Sequence, residues 1–101
     1  MVTSKGYILS PEAQNSLHQI QVYSMAHFGR KKTKYYLLKI QHRMQSLAEN
    51  PLQGLLRKEL HAGYYSSFIE SHTIYYRIKP THIEIIDVLH QSMEPSRHLD
   101  G

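Results

Sequence analysis

The chain contains no cysteine. That absence removes disulfides, thiolate nucleophiles and sulfur-ligated metal sites together, and it suits a reducing compartment, so a cytoplasmic location is expected. No run of about 18 apolar residues occurs, and no membrane span is expected. The opening stretch before Tyr7 carries no apolar h-region, so no signal peptide is expected either. Phosphate-binding loops, Gly-rich dinucleotide fingerprints and a Ser-nucleophile motif are also missing. Eight histidines are present, but none pair at the three-to-four spacing that lets two rings on one helix grip an ion. Neither a metal site nor a cofactor is expected. Repeats and low-complexity segments are absent.

What remains is an ordinary globular composition. With 101 residues, 41% of them apolar, the chain reads as one domain, 1–101, with one modest core. A net charge of +4 and a pI near 9.4 favour acidic partners, either nucleic acid or an acidic protein segment.

Tyr7-Ile8-Leu9 is a short apolar run that stops at Ser10-Pro11-Glu12. Ser caps helix starts and Pro suits the first helical position, where its missing N–H is not needed. Ala13, Leu17, Ile20, Ser24 and Phe28 then recur on one side of a helix that Gly29 can end. A second helical pattern covers about 31–49, with Leu37, Ile40, Met44, Leu47 and Ala48 on its apolar side and Asn50-Pro51 closing it. Two helices separated by one Gly fold back as an antiparallel hairpin.

After Pro51 the period changes. Residues 52–62 read as a linker. Three β segments follow, 64–69, 72–78 and 82–90, dense in Tyr, Ile and Val and joined by breaks short enough for hairpins. The third is apolar on both faces and belongs in the middle of the sheet. The tail, 91–101, reads as a polar turn with loose ends. The order β-α-α-β-β-β gives an α+β fold, an N-terminal strand and helical hairpin packed on a mostly antiparallel sheet.

This layout, with Ser10-Pro11-Glu12-Ala13, Leu47-Ala48-Glu49-Asn50-Pro51, Gly54, Arg57, Glu59-Leu60 and the strand His72-Thr73-Ile74-Tyr75-Tyr76-Arg77, resembles the RelE/ParE superfamily of toxins. The ending, from Ile86-Asp87-Val88-Leu89-His90 through Met93 to His98-Leu99, resembles the ParE branch rather than RelE. The chain departs from the family at Tyr65-Ser66-Ser67, where a basic residue is usual, and at Glu70-Ser71, where a Gly is usual. The resemblance implies the toxin of a type II toxin–antitoxin pair, of the kind associated with plasmid stabilisation. It would inhibit DNA gyrase by binding, block replication, and be neutralised by a ParD-like antitoxin that folds onto it. Sequence-specific DNA binding by the chain alone is not expected. Two other readings stay open: a RelE-like, ribosome-dependent mRNA interferase, and a member that poisons nothing and is retained as an antitoxin partner or regulator.

The candidate residues follow from these readings. Cleaving RNA needs a group to move the 2′-hydroxyl proton and cations for the developing phosphorane, which His90, Arg77 and Arg57 would supply. The rest of such a set is thin, so the chain leans away from being an enzyme; an endoribonuclease is the enzymatic alternative. For target or antitoxin binding the candidates are Arg57, Lys58, Tyr65, Arg77, His90, Met93, Arg97, Lys31 and Lys32. The eight tyrosines include three adjacent pairs, Tyr35-Tyr36, Tyr64-Tyr65 and Tyr75-Tyr76. Neighbours on a strand face opposite sides, so some ring surface should meet solvent or a partner.

Overall fold

The computed structural model describes residues 6–99. Strand β1 (Gly6–Leu9) leads into the helical span α1 (Pro11–Glu49), followed by a 3-10 turn (Pro51–Gln53), β2 (Leu55–Leu56), β3 (Tyr64–Ile69), β4 (His72–Ile78), β5 (His82–His90) and a short helix α2 (Pro95–His98). The five strands lie in the order β1-β5-β4-β3-β2. All neighbours are antiparallel except β1 and β5, which run parallel from Gly6↔His82 to Leu9↔Ile85. The expected α+β architecture is therefore present; β5 is an interior strand, although β4 rather than β5 is the middle one, and packed clusters cover both of its apolar faces.

The Ser10 side chain caps α1, accepting from the Ala13 N–H at 3.0 Å, and donates its own hydroxyl proton to the Ile86 carbonyl at 2.6 Å. One residue thus starts the helix and ties it to β5. The span has 39 residues, which as a straight helix would run about 58 Å. The longest dimension of the molecule is 38 Å, so the span folds back. It does so at Gly29, whose φ of +84° with ψ 175° is non-helical and unfavourable for any residue with a Cβ. The arms on either side, 11–28 and 30–49, form the expected hairpin. Ala13, Ile20, Ile40, Met44, Leu47 and Ala48 bury against Ile74, Tyr76, Ile83, Ile85 and Val88 of the sheet. Each large aliphatic side chain so buried contributes about 1.5–3 kcal/mol.

Three expectations need correction. Phe28 is exposed rather than inward, because it lies at the hairpin tip beyond the reach of the sheet. The 52–62 stretch contains β2, whose Leu55 and Leu56 pair with Ser66 and Tyr65 of β3; a strand of two residues has no alternation to read. The tail is not loose at its described end. Leu99 is only 4% exposed and packs with Tyr64, Tyr75 and Leu89 on the sheet face opposite the hairpin, with Leu60 and Ile86 alongside.

The β3–β4 hairpin turns on Glu70-Ser71, with Glu70 at φ +56°. The left-handed region costs an L-residue about 1–2 kcal/mol, a cost that Gly would not carry. Glu70→Gly is expected to raise the melting temperature by a few degrees, although it removes the exposed ion pair between Glu70 and Lys39. A melt at physiological salt checks this; a lower melting temperature would mean that the ion pair outweighs the backbone strain.

Candidate functional site

Side chains alternate across the sheet, so each strand serves two surfaces. On the hairpin side, Tyr65 is half-buried and stacks on Tyr76 at 5.5 Å between ring centroids. On the opposite side, Tyr64 and Tyr75 are buried in the cluster that Leu99 closes. Both sheet Tyr pairs are therefore divided between two packed faces, and the exposed ring surface comes chiefly from Tyr23 and Tyr35 on the helices. Some ring surface does meet solvent as expected, chiefly at Tyr35 of the helical pair and in part at Tyr65 of the sheet.

Arg57 and Arg77 lie on the same face, opposite the hairpin, each over a different tyrosine ring. The Arg57 guanidinium lies 5.8 Å from the Tyr75 ring centroid and donates to Glu59 at 2.6 Å and to the Ser66 hydroxyl at 3.1 Å. The Arg77 guanidinium lies 5.9 Å from the Tyr64 ring and donates to Glu84 at 2.8 Å. Pairing with these carboxylates raises both arginine pKa values further, so both stay charged. Beside Arg77 is a small polar cleft of about 180 Å³, bounded by Glu12, Glu84, Asp87 and His98. Asp87 is buried, and accepts from the Ser16 hydroxyl at 2.5 Å and its neighbour Val88 N–H at 2.8 Å.

His90 is elsewhere. Register pairs His72 with His90 and Arg77 with Glu84, which puts the two rows about 17 Å apart along β4. His90 is also on the hairpin side, in a row with His72 and Tyr36. The structure places Arg57 and Arg77 on one face and leaves His90 on the other, at the far end of the ladder. Lys58 is exposed in the turn after Arg57, Arg97 is exposed on α2, and Met93 is exposed in the preceding turn. Lys31 and Lys32 are exposed at the hairpin tip, remote from the sheet.

The His72–His90 pair has its own chemistry. The rings meet edge to face with centroids 5.2 Å apart. The Tyr36 hydroxyl lies 2.6 Å from His72 Nδ1, and the Ser92 N–H donates to His90 Nδ1 at 3.1 Å. Burial, with a smaller contribution from His90, lowers the His72 pKa from 6.5 to about 4. The folded state thus prefers His72 neutral while the unfolded chain binds a proton. Stability from this source is complete above pH 6.5 and falls as the pH drops toward about 4. With the ring partly reached by water, the expected loss is about 1–2 kcal/mol. Urea midpoints at pH 7 and pH 4.5 measure it, and His72→Phe should flatten that slope relative to the native chain.

A second concavity lies between the helix arms and β1, an open groove of about 390 Å³ whose floor is Leu9, Leu17, Leu37, Ile40 and Met44. Its rim is polar, with Gln14, His18 and Gln21. This is the dimension and chemistry of a seat for one apolar helix face. Residue spacing marked the apolar positions on each arm, but only the fold-back at Gly29 makes them two walls of one groove.

Comparison with known proteins agrees with this architecture. Residues 7–95 match the family described as the ParE toxin of the type II toxin–antitoxin system parDE. Toxin ParE1 of Mycobacterium tuberculosis is 35% identical over 97 residues, covering 95% of this chain and 99% of the relative. Toxin ParE1 of Caulobacter vibrioides is 37% identical over 95 residues, covering 94% and 98%. Among solved structures, a chromosomal ParDE system from P. aeruginosa superposes with a TM-score of 0.73 at 18% identity, covering 84% of this chain and 94% of that one. The toxin–antitoxin complex RelBE2 of Mycobacterium tuberculosis gives 0.60 at 20% identity, covering 87% and 99%.

Proposed function

The chain belongs to the ParE toxin family of type II toxin–antitoxin systems, and on that premise we propose that it poisons DNA gyrase by binding rather than by cutting a substrate. The observation that carries this reading is the separation of His90 from the two arginines, by about 17 Å of strand from the Arg77 row and about 10 Å from the Tyr75 row beside Arg57, and by the thickness of the sheet. General acid–base cleavage needs its proton-moving group and its cations on one phosphate, and these three do not share one. Poisoning by binding needs only a complementary surface. Arg57, Arg77, Lys58 and Arg97 offer cations for it on or beside one side of the sheet, with Met93 as an exposed apolar contact.

The partner is a ParD-like antitoxin. An amphipathic segment that folds on binding would set its apolar side chains against the part-exposed Leu9, Leu17 and Leu37 of the groove, over the buried Ile40 and Met44. A basic toxin and an acidic segment would associate fast. Expression without antitoxin should then arrest growth, which a retained but harmless member would not do.

Purified toxin, gyrase and supercoiled DNA test the activity. Linear DNA should accumulate after detergent and protease only when toxin and gyrase are both present. Transcripts cleaved on ribosomes, with gyrase unaffected, would replace this reading with the mRNA interferase.

A further inference from the structure

The charge of this chain is unevenly placed. Residues 13–48 hold Arg30, Lys31, Lys32, Lys34, Lys39 and Arg43 and no Asp or Glu. The other residues hold six Lys or Arg and eight Asp or Glu, a balance of −2 against the chain's +4. All of the positive excess therefore belongs to the helical hairpin. Two of its six cations are used internally: Lys39 pairs with Glu70, and Arg43 donates to the Ser67 hydroxyl at 2.9 Å and the Phe68 carbonyl at 3.0 Å. The other four are at the tip, are exposed, and take no part in any ion pair among the described residues.

We propose that this tip is a docking surface for duplex DNA, held through phosphate contacts by Arg30, Lys31, Lys32 and Lys34. The four cations occupy the first turn of the second arm, where the helix dipole opposes positive charge and carboxylates are favoured for stability. The end of the first arm favours cations while the start of the second opposes them, so the dipoles do not account for all four; attraction of a polyanion does. At about 100° per residue they fan over some 200° of the helix circumference, instead of flanking one apolar stripe as on a membrane-surface helix. The apolar groove is further down the hairpin, bounded by Gln21 on one arm and Leu37 on the other. An amphipathic protein segment seated there leaves the tip uncovered.

The aromatic residues at the tip indicate which nucleic acid fits. Tyr23 stacks on His27 with centroids 3.9 Å apart, and Phe28 meets Tyr23 edge-on at 6.4 Å. Tyr35 has the Lys39 ammonium 5.1 Å from its ring centroid. Tyr23, Phe28 and Tyr35 stay more than half exposed, but Tyr23 already stacks on His27 and Lys39 lies over Tyr35. The tip therefore offers chiefly its cations, to the backbone of a paired duplex, with single strands as the competitor. Phosphate contacts carry no sequence information, consistent with the expected lack of sequence-specific binding. The proposal does not require gyrase to be the target.

Fluorescence anisotropy with a short labelled duplex and purified protein, titrated over a range of salt, tests it without gyrase or antitoxin. Four phosphate contacts give a log affinity against log salt slope of about −3.6. Lys31→Gln and Lys32→Gln should each weaken binding several-fold and make the slope shallower by about one. Lys79→Gln removes the same charge from the exposed β4–β5 turn and should change neither; circular dichroism melts confirm that all variants fold. Equal losses in Lys79→Gln and the tip variants would reduce the effect to net charge and overturn the proposal. So would tip variants that bind like the native chain. Tighter binding of poly-glutamate, of single-stranded DNA, or of phosphatidylglycerol vesicles than of duplex at the same salt would overturn it in favour of that partner.

Discussion

Gly54→Ala is expected to cost about 3 kcal/mol, the largest effect of an added Cβ at any of the described glycines. A Cβ at Gly54 would lie 2.1 Å from the Tyr76 hydroxyl oxygen, 2.9 Å from its Cζ and 3.0 Å from the Ser66 carbonyl. The Tyr76 ring has nowhere to retreat. It is fully buried, stacked on Tyr65, and its hydroxyl donates to the Pro51 carbonyl at 2.6 Å. That bond joins the end of the helical span to the middle of the sheet, so a displaced ring strains both layers. Burial also raises the Tyr76 pKa, keeping the hydroxyl a donor. Urea unfolding measures the loss. Combining Gly54→Ala with Tyr76→Phe removes the closest clash, and the double variant should lose less than the sum of the two single ones. A Gly54→Ala chain within about 0.5 kcal/mol of the native one would show that the ring is not pinned.

Leu99→Ala is the second large effect, a loss of about 2–3 kcal/mol from a residue in an otherwise polar tail. Leu99 is the cover of the cluster formed by Tyr64, Tyr75 and Leu89. Without it, two tyrosine rings and a leucine on the face opposite the hairpin meet water, and the cleft beside Arg77, which Leu99 also lines, loses a wall. The readouts should differ from those of Gly54→Ala: a lowered urea midpoint accompanied by new binding of a hydrophobic dye to the folded state. A midpoint unchanged from the native chain would mean that the tail contributes no cover in solution.

These two residues also mark the limit of what sequence conveys. Gly29 announced the fold-back and Ser10-Pro11 the helix start, because one residue type has one dominant reason to be there. The strands at 64–69, 72–78 and 82–90 were legible from dense Tyr, Ile and Val separated by short breaks. A lone Leu after Arg97 and His98 has no periodicity, so its burial depends on a sheet face assembled from residues far earlier. The separation of His90 from Arg57 was equally hidden, since it follows from strand register. The bulge near Ile86, where Tyr75 pairs with Asp87 but Tyr76 with Ile85, sends Ile86 and Asp87 to the face that alternation would give to only one of them.

The parallel pairing of β1 with β5 has a consequence for how the protein comes into being. The strand made last is inserted between the strand made first and β4, and Ser10 fastens to Ile86 across 76 positions of sequence. Residues 6–81 alone therefore present two unfilled strand edges and the unmatched apolar face of the hairpin. The sheet closes only after the ribosome has delivered residues 82–90, and the long loop makes that closure slow relative to helix formation. Any surface that spans β5 and its two neighbours is therefore assembled after the helical hairpin that packs against it.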